Sequence, residues 1–323
     1  MKHPLVVLAG LCAAITGFNV QAQTAASHTL RIIVPYPAGG IADALAREVA
    51  MPLGPILGQT VVVENRPGAA GSMAATYVKN AEADGTTLLF TNVGPSAIAP
   101  AMSKTAPYDP AKDFTAVSLV SKSPLMLLVP GKSEIRDVKG LIALAKSKPG
   151  AIEYSSAGVG SVGHLSGALF SQAAAVDMLH VPYQGQSPAN VALMTGEVQM
   201  TFTAPSAQTF EFIKDGKFRL LGISYPQATA LVPGGVPIAD TVKGFDAQYW
   251  FGLVAPAKTN PAVIKRIDAA VQQVLADPNT AKRFLVMGNE VATGTPAQFQ
   301  SLLESESVRW RDVVKAANIS QSN

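Results

Sequence analysis

Two stretches of this chain combine glycines and short polar side chains just where a strand should give way to a helix. The first is Val34-Pro35-Tyr36-Pro37-Ala38-Gly39-Gly40-Ile41-Ala42-Asp43. Gly39 and Gly40 permit positive φ and a close approach of backbone to ligand. The helix start that follows presents free N–H groups at the positive end of a dipole. That pairing holds anions without a charged side chain. Asp43 can cap the turn and stands four residues before Arg47. A plain strand-to-helix turn would read the same way. The second stretch is Tyr154-Ser155-Ser156-Ala157-Gly158-Val159-Gly160-Ser161-Val162-Gly163-His164. Its serines add hydroxyl donors. His164 falls in or near a first helical turn, where the dipole disfavours a ring proton. A neutral imidazole donating to a bound oxygen is the functional expectation, and a structural histidine the alternative.

Other chemistries fit these strings poorly. Gly158, Gly160 and Gly163 match G-x-G-x-x-G, but the next strand ends at Val181-Pro182-Tyr183 without the acidic residue a dinucleotide site needs. No cofactor is expected. A nucleophile elbow needs glycine two residues before serine, and Val159 stands there instead. A periplasmic hydrolase using Ser161 and His164 is the competing function. His28, His164 and His180 are not paired at helical metal-ligand spacing, so no metal is expected. Two further polar turns follow expected strands: Thr91 to Ser96, with Asn92, and His180 to Gly185, with Tyr183 and Gln184. Open α/β sheets bind ligands at such strand ends.

The elements that must position these loops alternate β-branched runs with Ala-rich helical stretches, which argues an α/β fold with largely parallel sheets. Strands are expected over 30–35, 60–64, 87–91, 152–156, 179–183, 198–203 and 218–224. Helices are expected over 41–51, 72–81, 138–146, 165–175, 188–195, 261–275 and 296–317. Residues 229–244, rich in Pro and Gly, read as loop. Two extended segments, 116–129 and 249–255, are candidates to cross between lobes.

Lys2, the apolar run from Leu5 to Gly17 and Val20-Gln21-Ala22 read as a signal peptide over residues 1–22. The run is shorter than the roughly 20 apolar residues that span a bilayer. Cys12, the only cysteine, lies inside it, so cleavage would leave no thiol for disulfide or catalysis. The net charge of +3 comes without a basic stripe, which excludes nucleic-acid binding.

Taken together, these motifs resemble the receptors of tripartite tricarboxylate transporters, the Bordetella uptake gene family. The carriers are the first glycine loop with Asp43 and Arg47, Val63 to Gly71, Asp84 to Leu89, the Ser156–Leu169 segment, His180 to Tyr183 and Trp250 to Pro256. The resemblance implies a two-lobe, Venus-flytrap binding protein of the type II periplasmic fold with two crossover strands. Lobe 1 is expected over 28–124 plus 253–323, and lobe 2 over 125–252. It further implies a periplasmic, monomeric, non-enzymatic receptor that passes a small carboxylate to membrane permease subunits. Carried onto this chain, the ligand-binding residues are Tyr36, Ala38, Gly39, Gly40, Ile41, Ala42, Asp43, Asn92, Ser156, Gly158, Gly160, Ser161, His164, Tyr183, Gln184 and Thr203. Similar proteins usually carry an acid where this chain has Thr203. The neutral hydroxyl there favours a dicarboxylate, aliphatic or aromatic, over an amino acid.

Overall fold

The computed structural model describes residues 29–103 and 105–319, so the expected leader, with Cys12, and His28 lie outside the described residues. The described residues open with β1 (Leu30–Val34), α1 (Ile41–Leu57), β2 (Val61–Asn65), α2 (Ser72–Lys79) and β3 (Thr87–Asn92). Short helices α3 (Ala99–Met102) and α4 (Pro110–Asp113) lead to β4 (Phe114–Pro124) and β5 (Met126–Pro130). Next come α5 (Val138–Ser147), β6 (Ile152–Ser156), α6 (Val162–Ala174), β7 (Met178–Pro182), α7 (Gln186–Thr195), β8 (Met200–Thr203), α8 (Ala207–Lys214) and β9 (Phe218–Ile223). After a long loop the chain ends with β10 (Gln248–Pro256), α9 (Pro261–Leu275), α10 (Pro278–Val286), β11 (Glu290–Val291) and α11 (Pro296–Ala316).

The strands form two sheets, ordered β2-β1-β3-β10-β4-β11 and β7-β6-β8-β5-β9. Each sheet is the centre of one lobe. In both, three parallel strands stand in the order second, first, third. Beside the third lies an antiparallel strand, β10 in one sheet and β5 in the other. Those two strands are the first that the chain forms after passing from the opposite sheet. The sheets are therefore mixed, which corrects the expectation of largely parallel ones.

The expected extended segment 116–129 is two strands in two sheets, broken at Leu125. The second segment does not cross. All of β10 lies in the larger sheet, with Gln248 opposite Pro124. The return passage therefore precedes Gln248, a few residues earlier than the expected boundary at 252/253. Helix α1 also runs past its expected end, through Pro52 and Pro55, with Leu53 still buried. Helix α10, β11 and the short helices before β4 were not expected.

Helix starts follow local chemistry. Asn260, Asp277 and Thr295 each cap a helix whose first residue is proline. Proline is suited to that position because its missing N–H would have no partner there. One face of the larger sheet packs on α1 and α9 through Ile32, Phe90, Leu45 and Val271. The other face shares a continuous apolar cluster with the smaller sheet, running from Trp250 and Phe299 to Phe202, Phe170 and Phe245.

Where the two passages meet, Ser224 joins them. Its hydroxyl accepts the Leu125 amide at 2.8 Å and donates to the Ala247 carbonyl. Its backbone amide donates to the Leu125 carbonyl at 2.9 Å. Ser224 is fully buried. Replacing it with alanine leaves a buried amide and carbonyl without the hydroxyl. The expected cost is about 1–3 kcal/mol, read as a lower urea midpoint with an unchanged far-UV spectrum.

Candidate functional site

The helices that follow β6, β7 and β8 all start at the same crevice, outside the carboxyl ends of their strands. A cavity of about 460 Å³ opens there between the lobes. Lobe 2 lines it with Ser161 and Gly163 at the start of α6, and Gln186, Ser187 and Asn190 on α7. Phe202 and Thr203 of β8, then Ser206, Gln208 and Thr209 around the start of α8, complete that wall. The facing wall is Ile41, Tyr249, Met287 and Asn289. Among the described residues, the lining holds no Asp, Glu, Lys, Arg or His. What it offers an anion is amide and hydroxyl hydrogen. Among the described residues, the amides of Val162, Gly163, Gln186, Ser187, Ala207 and Gln208 have no intrachain acceptor. These are the orphan donors of helix first turns, at the positive ends of their dipoles.

Close packing sets the shape of this wall. A Cβ at Gly163 would lie 2.7 Å from the Phe202 carbonyl, so only glycine lets α6 approach β8 this closely. The lobes also touch beside the cavity. A Cβ at Gly160 would lie 2.8 Å from Met102 Sδ, and one at Gly288 would overlap Pro205. Both glycines have positive φ.

The first glycine loop is organised by Asp43. Its carboxylate accepts the Gly39 amide at 2.9 Å, Arg47 Nε at 3.0 Å and Asn65 Nδ2 at 2.9 Å. The Arg47 hydrogen bond, helped by those of Gly39 and Asn65, holds its pKa down at about 2. Asp43 is 4% exposed. Its acceptor sites are engaged by the loop, so it braces Gly39 and Gly40 for α1. Ile41 is the residue of this loop that reaches the cavity wall. Tyr36 instead donates to Asn92 Oδ1 at 2.9 Å behind it.

The second glycine loop is braced by histidines. His164 Nδ1 accepts the Gly160 amide at 3.1 Å, and its ring stacks on His180 with centroids 3.6 Å apart. His180 Nε2 is 2.7 Å from Ser156 Oγ. Burial pushes the His164 pKa down to about 4 and that of His180 to about 3, the latter aided by His164. Both rings are neutral at pH 7. They border a separate cavity of about 320 Å³ with Tyr154, away from the interlobe wall. Ser161 Oγ accepts the His164 amide as the cap of α6, and no hydrogen bond joins the two side chains.

Of the residues expected at the site, Ile41, Ser161 and Thr203 line the cavity. Tyr36, Ala38, Gly39, Gly40, Ala42, Asp43 and Asn92 build the loop and network behind one wall. Ser156, Gly158, Gly160 and His164 build the loop before α6. Tyr183 turns away to Glu197, with its hydroxyl 2.9 Å from Oε1, and exposed Gln184 is not in the wall. Sequence reasoning missed Gln186, Asn190, Ser206, Tyr249 and Asn289. Gly185 before α7, and Ser206 three residues before Thr209, are turn and cap signals that could have found the first three.

Two pH effects follow. Asp43 is depressed from 3.8, so its contribution is present above pH 4 and lost as pH falls through 2. Asp43→Asn should cost about 2 kcal/mol at pH 7, and that gap should close between pH 4 and 2 in denaturant titrations. The histidines bind protons more weakly folded than unfolded. Stability should therefore decline as pH drops below about 6.5, and His180→Asn should flatten that decline between pH 6.5 and 5.

Comparison with known proteins agrees with this architecture. The sequence profile of the tripartite tricarboxylate transporter family receptor matches residues 45–319. A protein encoded between tcbD and tcbE in Pseudomonas sp. strain P51 is 33% identical over 313 residues, covering 95% of this chain and 93% of that one. An R. palustris protein solved with adipate is 31% identical with a TM-score of 0.76, covering 90% of this chain and 98% of its own. MatC from Rhodopseudomonas palustris, solved with bound malate, is 31% identical with a TM-score of 0.72, covering 88% and 98%. On the strength of that match, spanning most of its length, the chain belongs to the tripartite tricarboxylate transporter receptor family.

Proposed function

We propose that this receptor closes on a small dicarboxylate in the cavity between its lobes and delivers it to the permease subunits of a tripartite tricarboxylate transporter. The lobes of this reading are 29–124 plus 248–319 and 125–247. The observation that carries it is the wall itself: three helix starts, α6, α7 and α8, and no ionisable group but the Tyr249 phenol. Oriented amides hold a carboxylate in such a place, whereas an ammonium would find no acid to pair with. Adipate and malate, the ligands of the two relatives solved with them, are both aliphatic dicarboxylates. Ser161, Thr203 and Ile41 touch the ligand in this reading, joined by Gln186, Asn190 and Tyr249. The remaining expected residues hold the loops in shape, and Tyr183 and Gln184 leave the site.

The receptor works as a monomer in the periplasm after loss of residues 1–22, and it is not an enzyme. Support for the last point is the Ser161 hydroxyl, which caps a helix instead of meeting a base. Family membership supports the location.

Adipate and malate at a hundredfold excess over their dissociation constants should stabilise the fold by about 2.7 kcal/mol. Aspartate and glutamate should not, and the bound acid should be recovered unchanged. Thermal shift and calorimetry test this. Tight binding of aspartate with no response to any dicarboxylate would sink the proposal, as would consumption of the ligand over time. Gly160→Leu should weaken binding severely, because its side chain meets Met102 as the lobes close.

A further inference from the structure

A chain of hydrogen bonds behind the lobe 1 wall has a fixed direction, and it ends at Tyr249, a residue of the cavity lining. It begins at Gly94, whose amide lies 2.8 Å from Asn92 Oδ1. An amide N–H only donates, so the oxygen of the Asn92 side chain must face it. That fixes which way round the Asn92 amide sits. Tyr36 Oη lies 2.9 Å from the same oxygen and must donate to it too. Asn92 Nδ2 is left facing Tyr249 Oη at 3.3 Å. Nitrogen Nδ2 can only donate, so the Tyr249 oxygen accepts. The Tyr249 hydroxyl proton is then free, and among the described residues it has no acceptor. Asn92 is 1% exposed, so no water competes for its orientation.

Tyr249 lines the interlobe cavity. We propose that Tyr249 is the hydrogen-bond donor of lobe 1 to the bound carboxylate, and that Asn92 is the positioning residue that turns its proton toward the ligand. This rests on the reading of the cavity as a dicarboxylate site. It explains how a wall poor in polar groups on the lobe 1 side answers the three helix starts opposite. It also gives the Asn92 network a purpose beyond packing: three groups, Gly94, Tyr36 and Asn92, are spent on the direction of one proton. Burial raises the Tyr249 phenol pKa, so it stays a donor throughout the neutral range.

The test uses the full mature chain with adipate and malate as probes. Tyr249→Phe should keep the fold, since the ring stays beside Phe251, and should weaken both probes by about 10- to 100-fold, the range of a hydrogen bond to a charged group. In chain labelled at tyrosine Cζ, the resonance absent from Tyr249→Phe should move when adipate is added to the wild type. A role in packing alone would leave that resonance where it was. Equal affinity of Tyr249→Phe and wild type, or an unmoved Cζ resonance at saturation, overturns the inference. Failure of the wild type to bind either probe would instead overturn the dicarboxylate reading.

Discussion

The two lobes communicate through two passages of main chain, and one buried hydroxyl ties those passages together. Ser224 accepts from Leu125 and donates to Ala247, so the exit from the larger sheet and the return to it are fixed relative to each other. The strands that follow the passages, β5 and β10, enter their sheets beside β8 and β3. The helices that start at the carboxyl ends of β6, β7 and β8 face Ile41, at the start of α1, across one crevice. If the passages drifted, the helix starts of lobe 2 and the Ile41 and Tyr249 wall would no longer share a cavity.

In the proposed reading, anion recognition is a division of labour between groups that touch the ligand and groups that hold the loops. The proposed donors of lobe 2 are first-turn amides, whose positions depend on the main chain alone. Their geometry is only as good as the loops before them. Asp43 with Arg47 and Asn65 braces one loop, and the His164–His180 stack braces the other. The carboxylate, guanidinium and imidazole groups that brace the loops lie one layer behind the wall. This is why Asp43 is compatible with an anion site: Arg47, Asn65 and Gly39 already engage its carboxylate.

The two glycine loops and the alternation of strands and helices were legible in the sequence, because each has a local signature, whereas 116–129 read as one strand and its break at Leu125 did not show. Gly39 needs its positive φ, and Gly163 the absence of a Cβ. The mixed sheets were not legible. The direction of β5 and β10 is set by where the chain returns after leaving a lobe, not by residue pattern. Met287 and Asn289 were equally hidden, since the turn after α10 joins the wall only through its place beside β4, where Ser121 and Ser123 hold it. Nor does residue type reveal which polar tips find partners inside the protein. Tyr183 Oη meets Glu197, and His164 Nδ1 accepts the Gly160 amide, both within lobe 2.

A wall without formal charges has a further consequence, for the medium in which the receptor works. Attraction between exposed charges weakens as ionic strength rises, with a screening length of about 10 Å at 0.1 M. Amide dipoles inside a closed crevice act over a few ångströms and with little solvent between, so dissolved salt hardly reaches them. The proposed grip of helix starts on the ligand would depend less on ionic strength than a pair of exposed charges does. Such a wall would give up long-range steering of the acid toward the crevice in exchange for a short-range grip.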